Sequence, residues 1–176
     1  MGQGGAEKIV FQLACATKEK GNLVSVASSG GVYTDLLSKK GITHYQVHDL
    51  ECKNPIVILQ TLRTLEKVIR KEQIEILHTH HRMAALYGKL LKIRFPKLKL
   101  VYTAHNVFYN KKHFTNFSLS DSYIVAVGEN VKKNLIEFFD IKEEKLQIIY
   151  NAVQIKEDVN YEPNIRLASW RKEGFF

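Results

Sequence analysis

Helix-like and strand-like segments take turns along this chain, and no other feature narrows its fold as far. Glu7 to Glu19 carries Ile9, Val10, Leu13 and Ala14 on one face at helical spacing. Gly21-Asn22 ends that helix, and the short β-rich run Leu23 to Ser28 follows. Ser29-Gly30-Gly31 turns the chain into a second helix reaching Lys39, after which Thr43 to Val47 reads as a weak strand. Asn54-Pro55 opens a long helix in which Ile58, Leu59, Leu62, Leu65, Val68 and Ile69 recur at helical spacing. The second half repeats the alternation: strand Ile74 to Thr79, helix Met83 to Ile93, strand Leu98 to Ala104, strand Tyr123 to Val127, helix Glu129 to Phe139 and strand Leu146 to Tyr150. His105 to Ser120 reads as a polar, aromatic loop with a weak helical signal. Such alternation implies parallel strands joined by crossover helices, an α/β open sheet with helices on both faces. One element is missing. A Gly-rich loop that starts a helix follows a strand, yet only Met1-Gly2-Gln3 precede Gly4. A sheet without its first strand leaves buried backbone donors and acceptors unpaired, at about 1–3 kcal/mol each.

At 176 residues, 45% hydrophobic and 25% charged, the chain suits one globular domain and excludes a disordered, collagen-like or coiled-coil protein. No apolar run approaches the roughly 20 residues that cross a bilayer. The N-terminus lacks the apolar stretch of a signal peptide, and Ala6 stands where a myristoylation signal wants Ser or Thr. Cys15 and Cys52 are too few for a disulfide scaffold and read as reduced thiols of a cytosolic protein. The net charge of +8 is concentrated. Between Ile76 and Ser120 there is no Asp or Glu, while Arg82, Lys89, Lys92, Arg94, Lys97, Lys99, Lys111 and Lys112 all fall there. Such a field attracts phosphates, nucleic acid or an anionic membrane, or it serves as a solvated surface.

Chemistry-bearing residues gather where strands end. Gly4-Gly5-Ala6-Glu7 begins a helix, where glycines let backbone approach a ligand and unpaired N–H groups favour an anion; the same glycines would also suit a tight turn with positive φ. In His78-Thr79-His80-His81, the strand period sends His78 and His80 to one side and Thr79 and His81 to the other. His78 is expected to be packed and hydrogen-bonded, and His80 and His81 to reach a ligand. No Cys, Asp or Glu stands beside them to complete a zinc site, so no metal is expected. His105 closes the next strand, where an imidazole can donate to a hydroxyl or a developing oxyanion. Gly128-Glu129 and Asn151 occupy equivalent ends. In an open parallel sheet those ends line the ligand crevice, so Gly4, Gly5, His80, His105 and Asn151 are expected around one mouth.

In order, Gly4-Gly-Ala-Glu7, Ile76-Leu-His-Thr-His-His81, Tyr102-Thr-Ala-His-Asn106, Tyr123-Ile-Val-Ala-Val-Gly-Glu129 and Ile148-Ile-Tyr-Asn-Ala-Val153 resemble the N-terminal half of family-four glycosyltransferases of the two-domain GT-B type. The resemblance implies a Rossmann-like domain over 1–153 that mainly holds the acceptor, with 154–176 a linker or tail toward an absent C-terminal domain. It departs from the family at Gly128, usually Ser, and at Ala152, usually Gly.

The same resemblance implies the roles. His105 would be the catalytic residue beside the reacting sugar. Gly4, Gly5, Gly128 and Asn151 would serve the donor and its diphosphate, and His80, His81 and Arg82 the acceptor. The reaction would move a sugar from a nucleotide-sugar to a glycan or lipid-linked acceptor with retention, without cofactor or metal, in cell-surface polysaccharide or lipopolysaccharide synthesis. Lys111, Lys112 and Phe114 would touch an anionic membrane, placing the protein in the cytoplasm at the inner membrane face. Without the C-terminal domain little activity is expected, and Phe175-Phe176 could make the chain self-associate. Two other readings use the same basic surface: a phosphate- or nucleic-acid-binding module, and a non-catalytic subunit whose partner chain supplies the other half. The chain lacks a recognition helix with clustered Arg and Lys, so nucleic acid is not the expected partner.

Overall fold

The structure, a computed structural model, describes residues 4–52 and 54–152. The proposed tail from 154 onward, Val153 and the Phe175-Phe176 pair lie outside the described residues. Among the described residues six α-helices alternate with six strands: α1 (Gly5–Glu19), β1 (Ser25–Ser28), α2 (Tyr33–Lys39), β2 (Thr43–Gln46), α3 (Pro55–Glu72), β3 (Ile76–Thr79), α4 (Arg82–Arg94), β4 (Lys99–Ala104), α5 (Lys112–Leu119), β5 (Ser122–Ala126), α6 (Glu129–Glu137) and β6 (Leu146–Ile148). Local chemistry sets the boundaries. Asn54 caps α3 by accepting from the Ile56 N–H at 2.9 Å, with Pro55 in the first turn. Gly30 and Gly31, at φ 96° and 125°, make the turn into α2 that a side chain would strain.

All pairings are parallel, as the alternation implies, but they form two sheets rather than one: β1-β2, and β3-β4-β5-β6. No strand among the described residues precedes α1, so none hydrogen-bonds β1 to β3, and each keeps an unpaired edge. Ile76, expected in a buried strand, is 57% exposed on that edge.

The core lies on one face of the larger sheet. Leu100, Tyr102 and Ala104 of β4 and Ser122, Ile124 and Ala126 of β5 are buried, and the opposite face carries the exposed Tyr123. Ala85 of α4, Leu119 of α5, and Val131 and Leu135 of α6 with Phe139 just beyond it pack onto the buried face. Burying each large apolar side chain there contributes about 1.5–3 kcal/mol. Beside it, Ile69 of α3 meets Leu91, Leu98 and Leu100, while α1 and α2 enclose a smaller core of Ala14, Val26, Leu37 and Ile42.

One helix departs from expectation. α5 occupies a stretch that reads as loop because two of its three buried positions, Thr115 and Ser118, are polar. Each is satisfied internally: Ser118 donates to the Phe114 carbonyl at 2.8 Å, and the Thr115 hydroxyl accepts from Arg82 at 3.3 Å. A binary apolar pattern misses such a helix.

Candidate active site

The register of β3 on β4 pairs Thr79 with Tyr102; His80, the first residue beyond β3, and His105, the first residue beyond β4, come together at the carboxyl ends of the two strands. They share one crevice with His81, Arg82, Tyr102, Asn106 and Phe108. This is the location the strand-end argument predicts for a ligand.

Two imidazoles, His80 and His105, line its inner side, and a third, His78, stacks on His80. His78 Nε2 lies 2.8 Å from the Thr103 hydroxyl, bearing out the expectation that it is packed and hydrogen-bonded. His80 Nδ1 lies 3.0 Å from His105 Nε2. The rings stack in sequence, with centroids 4.3 Å apart for His78 and His80 and 5.3 Å apart for His80 and His105. Burial removes the hydration that a cation needs, and a protonated neighbour would add repulsion. His78 is therefore pushed down to about 4 and His80 to about 3. His105 is also lowered by burial, against the opposing pull of Glu7 in the first turn of α1. At neutral pH the wall is uncharged and hydrogen-bonding, which suits hydroxyl groups. Among the described residues, no three His, Cys, Asp or Glu side chains are grouped as metal ligands.

The rim is different in kind. His81, half-exposed, caps α4 by accepting from the Met83 N–H at 3.3 Å, and its Nε2 lies 3.2 Å from Glu51. Arg82 lies 4.0 Å over the Phe108 ring and donates to Asn110 at Oδ1 (3.0 Å) and at the backbone carbonyl (3.2 Å). The buried Asn134 holds the same loop from α6, accepting from the Phe108 N–H at 3.1 Å and donating to the Phe108 carbonyl at 2.9 Å. Sequence reasoning overlooked Asn134, Tyr102 and Glu51. Asn134 sits within a helix at a core position, and a buried amide there signals a polar clamp. Tyr102 is pushed up to about 12 by burial, so its phenol stays protonated.

The other expected site residues are distributed along the same edge. Gly4 caps α1 with φ −75°, so the alternative of a positive-φ turn does not apply, and a side chain there would meet the Glu7 carboxylate. Gly5 begins the helix with open space around it. Gly128 precedes α6 in extended backbone, and Asn151 is exposed beyond β6. Here Tyr150 donates to Glu129 at 3.4 Å. None of Gly4, Gly5, Gly128 and Asn151 lines the histidine crevice, so of the residues expected around one mouth only His80 and His105 meet there.

The basic window is less open than its composition suggests. Lys89 pairs with Asp121 at 2.8 Å, Arg94 with Glu66 at 2.8 Å and Lys112 with Asp140 at 2.6 Å, all carboxylates from outside the window. Lys111 is exposed at φ 53°, and Phe114 is half-buried. No described helix is long and apolar enough to cross a membrane.

Comparison with known proteins agrees with the fold and extends it. A sequence model described as Glycosyltransferase Family 4 matches residues 3–157. The crystal structure of a glycosyltransferase from Rickettsia africae ESF-5 is 26% identical with TM-score 0.76, over 98% of this chain and 46% of that one. Anabaena Alr3699/HepE, solved in complex with UDP and glucose, is 14% identical with TM-score 0.67 over 97% of this chain and 46% of its own. Acinetobacter baumannii MurG is 15% identical with TM-score 0.61, over 90% and 46%. The chain thus spans a little under half of each of these solved chains. A search of curated protein sequences gives no match.

Proposed function

This chain belongs to glycosyltransferase family 4, and on that footing we propose that it is the acceptor-side half of an enzyme that moves a sugar from a nucleotide-sugar to an acceptor hydroxyl. The observation that carries this reading is the uncharged His80–His105 pair at the mouth of the β3-β4 crevice. A sugar presents hydroxyls, and neutral imidazoles exchange hydrogen bonds with hydroxyls without the desolvation cost of a buried ion. His105 is the catalytic residue, set beside the reacting sugar and orienting it. Tyr102 and Asn106 complete the polar lining, and His80, His81 and Arg82 form the acceptor side.

Charge develops on the diphosphate as the glycosidic bond breaks. The free backbone N–H groups at Gly4 and Gly5, at the positive end of α1, are suited to receive it. Gly128 and Asn151, at the β5-β6 end, take the remaining donor contacts across a cleft to a second Rossmann-like domain. The relative solved with UDP and glucose supports a nucleotide-sugar as donor. Retention of configuration, a glycan or lipid-linked acceptor, a role in cell-surface polysaccharide synthesis and peripheral contact with an anionic inner membrane belong to the same proposal. In that contact Lys111 is the open cation, since Lys112 is held by Asp140. The carboxylates around the basic window disfavour nucleic acid as the partner.

The test is release of nucleoside diphosphate from a panel of nucleotide-sugars. The expected result is negligible turnover by this chain alone and turnover once a second Rossmann-like domain completes the enzyme, abolished by His105→Ala. Turnover or tight donor binding by the chain alone would contradict the division of labour. Absence of transfer from every donor by the completed enzyme would contradict the function itself.

A further inference from the structure

A neutral imidazole has one N–H and one lone pair, so a hydrogen bond between two of them fixes both tautomers at once. His80 Nδ1 and His105 Nε2 meet at 3.0 Å. If His80 donates, both rings must carry hydrogen on Nδ1. If His105 donates, both carry it on Nε2, the tautomer that an isolated neutral histidine side chain favours. The second arrangement costs neither ring its preferred form. It also extends to His78, whose Nε2 can donate to Thr103.

The consequence falls on His105. With Nε2–H committed to His80, Nδ1 keeps a lone pair, and no hydrogen-bond partner engages it among the described residues. Stacking of His80 between His78 and His105 restrains the ring that does the holding. We propose that His80 is a positioning residue: its Nδ1 accepts from His105 and holds His105 in the Nε2–H tautomer, leaving Nδ1 of His105 as an acceptor for a hydroxyl hydrogen. That the hydroxyl is a sugar's rests on the reading above; the tautomer does not. The charged groups around the pair are Glu7 from α1 and Arg82 at the start of α4, with the His81–Glu51 pair on the rim. Glu7 favours added positive charge on His105 and therefore works against the proposed form.

Two-bond nitrogen–proton correlation spectra of the chain labelled with 15N-histidine, recorded at neutral pH without substrate, read the tautomer directly. The expected result is the Nε2–H pattern for His105, and an Nδ1–H pattern would overturn the proposal. His80→Asn puts an amide oxygen near the position of Nδ1 and should keep the pattern. His80→Leu should lose it, giving signals averaged between tautomers and protonation of His105 at lower pH than in the parent, since the acceptor that favours the cation is gone. An unchanged His105 spectrum and titration in His80→Leu, or an Nδ1–H pattern in His80→Asn, would overturn the assignment. Should the leucine variant fail to fold, the parent and the asparagine variant still decide. None of these spectra involves sugar transfer, so they stand or fall separately from the transferase assay.

Discussion

His80 and His81 are neighbours in sequence and opposites in circumstance. His80 belongs to the crevice wall, stacked between two other imidazoles and held uncharged by burial. His81 belongs to the rim, where it caps α4 and faces the exposed carboxylate of Glu51. One step along an extended segment reverses the side to which a residue points, and here it separates a dry, neutral wall from a wet, charged lip. The lesson is that residue type alone assigns no role. Four of the chain's seven histidines cluster at the strand end and β4 terminus, yet three are hydrogen-bonded wall elements and one is a helix cap.

The most disruptive way to probe this contrast is acid. The folded-state pKa values of His78 and His80 lie below the ordinary value, so the unfolded chain binds more protons as pH falls. The stability conferred by their neutral burial is present above about pH 6.5 and is lost as pH falls toward 4. Two such groups give a slope of up to about 2.7 kcal/mol per pH unit within that window. Urea unfolding at pH 7 and pH 5 should show it, and His78→Gln with His80→Asn should flatten it.

Arg82→Ala comes next. It removes the cation above Phe108 and the bonds that tie the loop after β4 to α4 and α5. A loss of about 1–2 kcal/mol is expected, with faster hydrogen exchange at Val107 to Asn110 while the β4 amides stay protected. His81→Ala should cost about 1 kcal/mol through the lost cap of α4. Glu51→Ala should cost under about 1 kcal/mol, because a solvent-exposed polar contact contributes little. If Glu51→Ala proved as damaging as Arg82→Ala in denaturant titrations, this ranking of the rim contacts would not hold.

Much of this was legible before any coordinates. Period-2 and period-3.6 patterning located all six strands and five of the six helices, because apolar residues such as Leu100, Ile124 and Leu135 mark the buried face without ambiguity. The sixth helix was hidden because its buried face is made of Thr115 and Ser118, whose hydrogen bonds run to Arg82 and Phe114. The division into two sheets was foreshadowed only by the expectation that a strand belongs before Gly4. At the site, position along the chain predicted that His80 and His105 would meet at strand ends. It could not predict that they bond to each other, since the register of β3 on β4 sets that distance. The pairing of Lys89, Arg94 and Lys112 escaped for a similar reason: Asp121, Glu66 and Asp140 lie outside the window in sequence and beside it in space.

The central claim is that the neutral wall at the β3-β4 edge is where the sugar is held. The most direct measurement follows the imidazole nitrogens of all histidines while a nucleotide-sugar is titrated to millimolar concentration. The account predicts a saturable movement of His105 Nδ1, with the other rings moving less. His105 unmoved at saturating ligand, or larger movement at His44 or His113 than at His105, would contradict it.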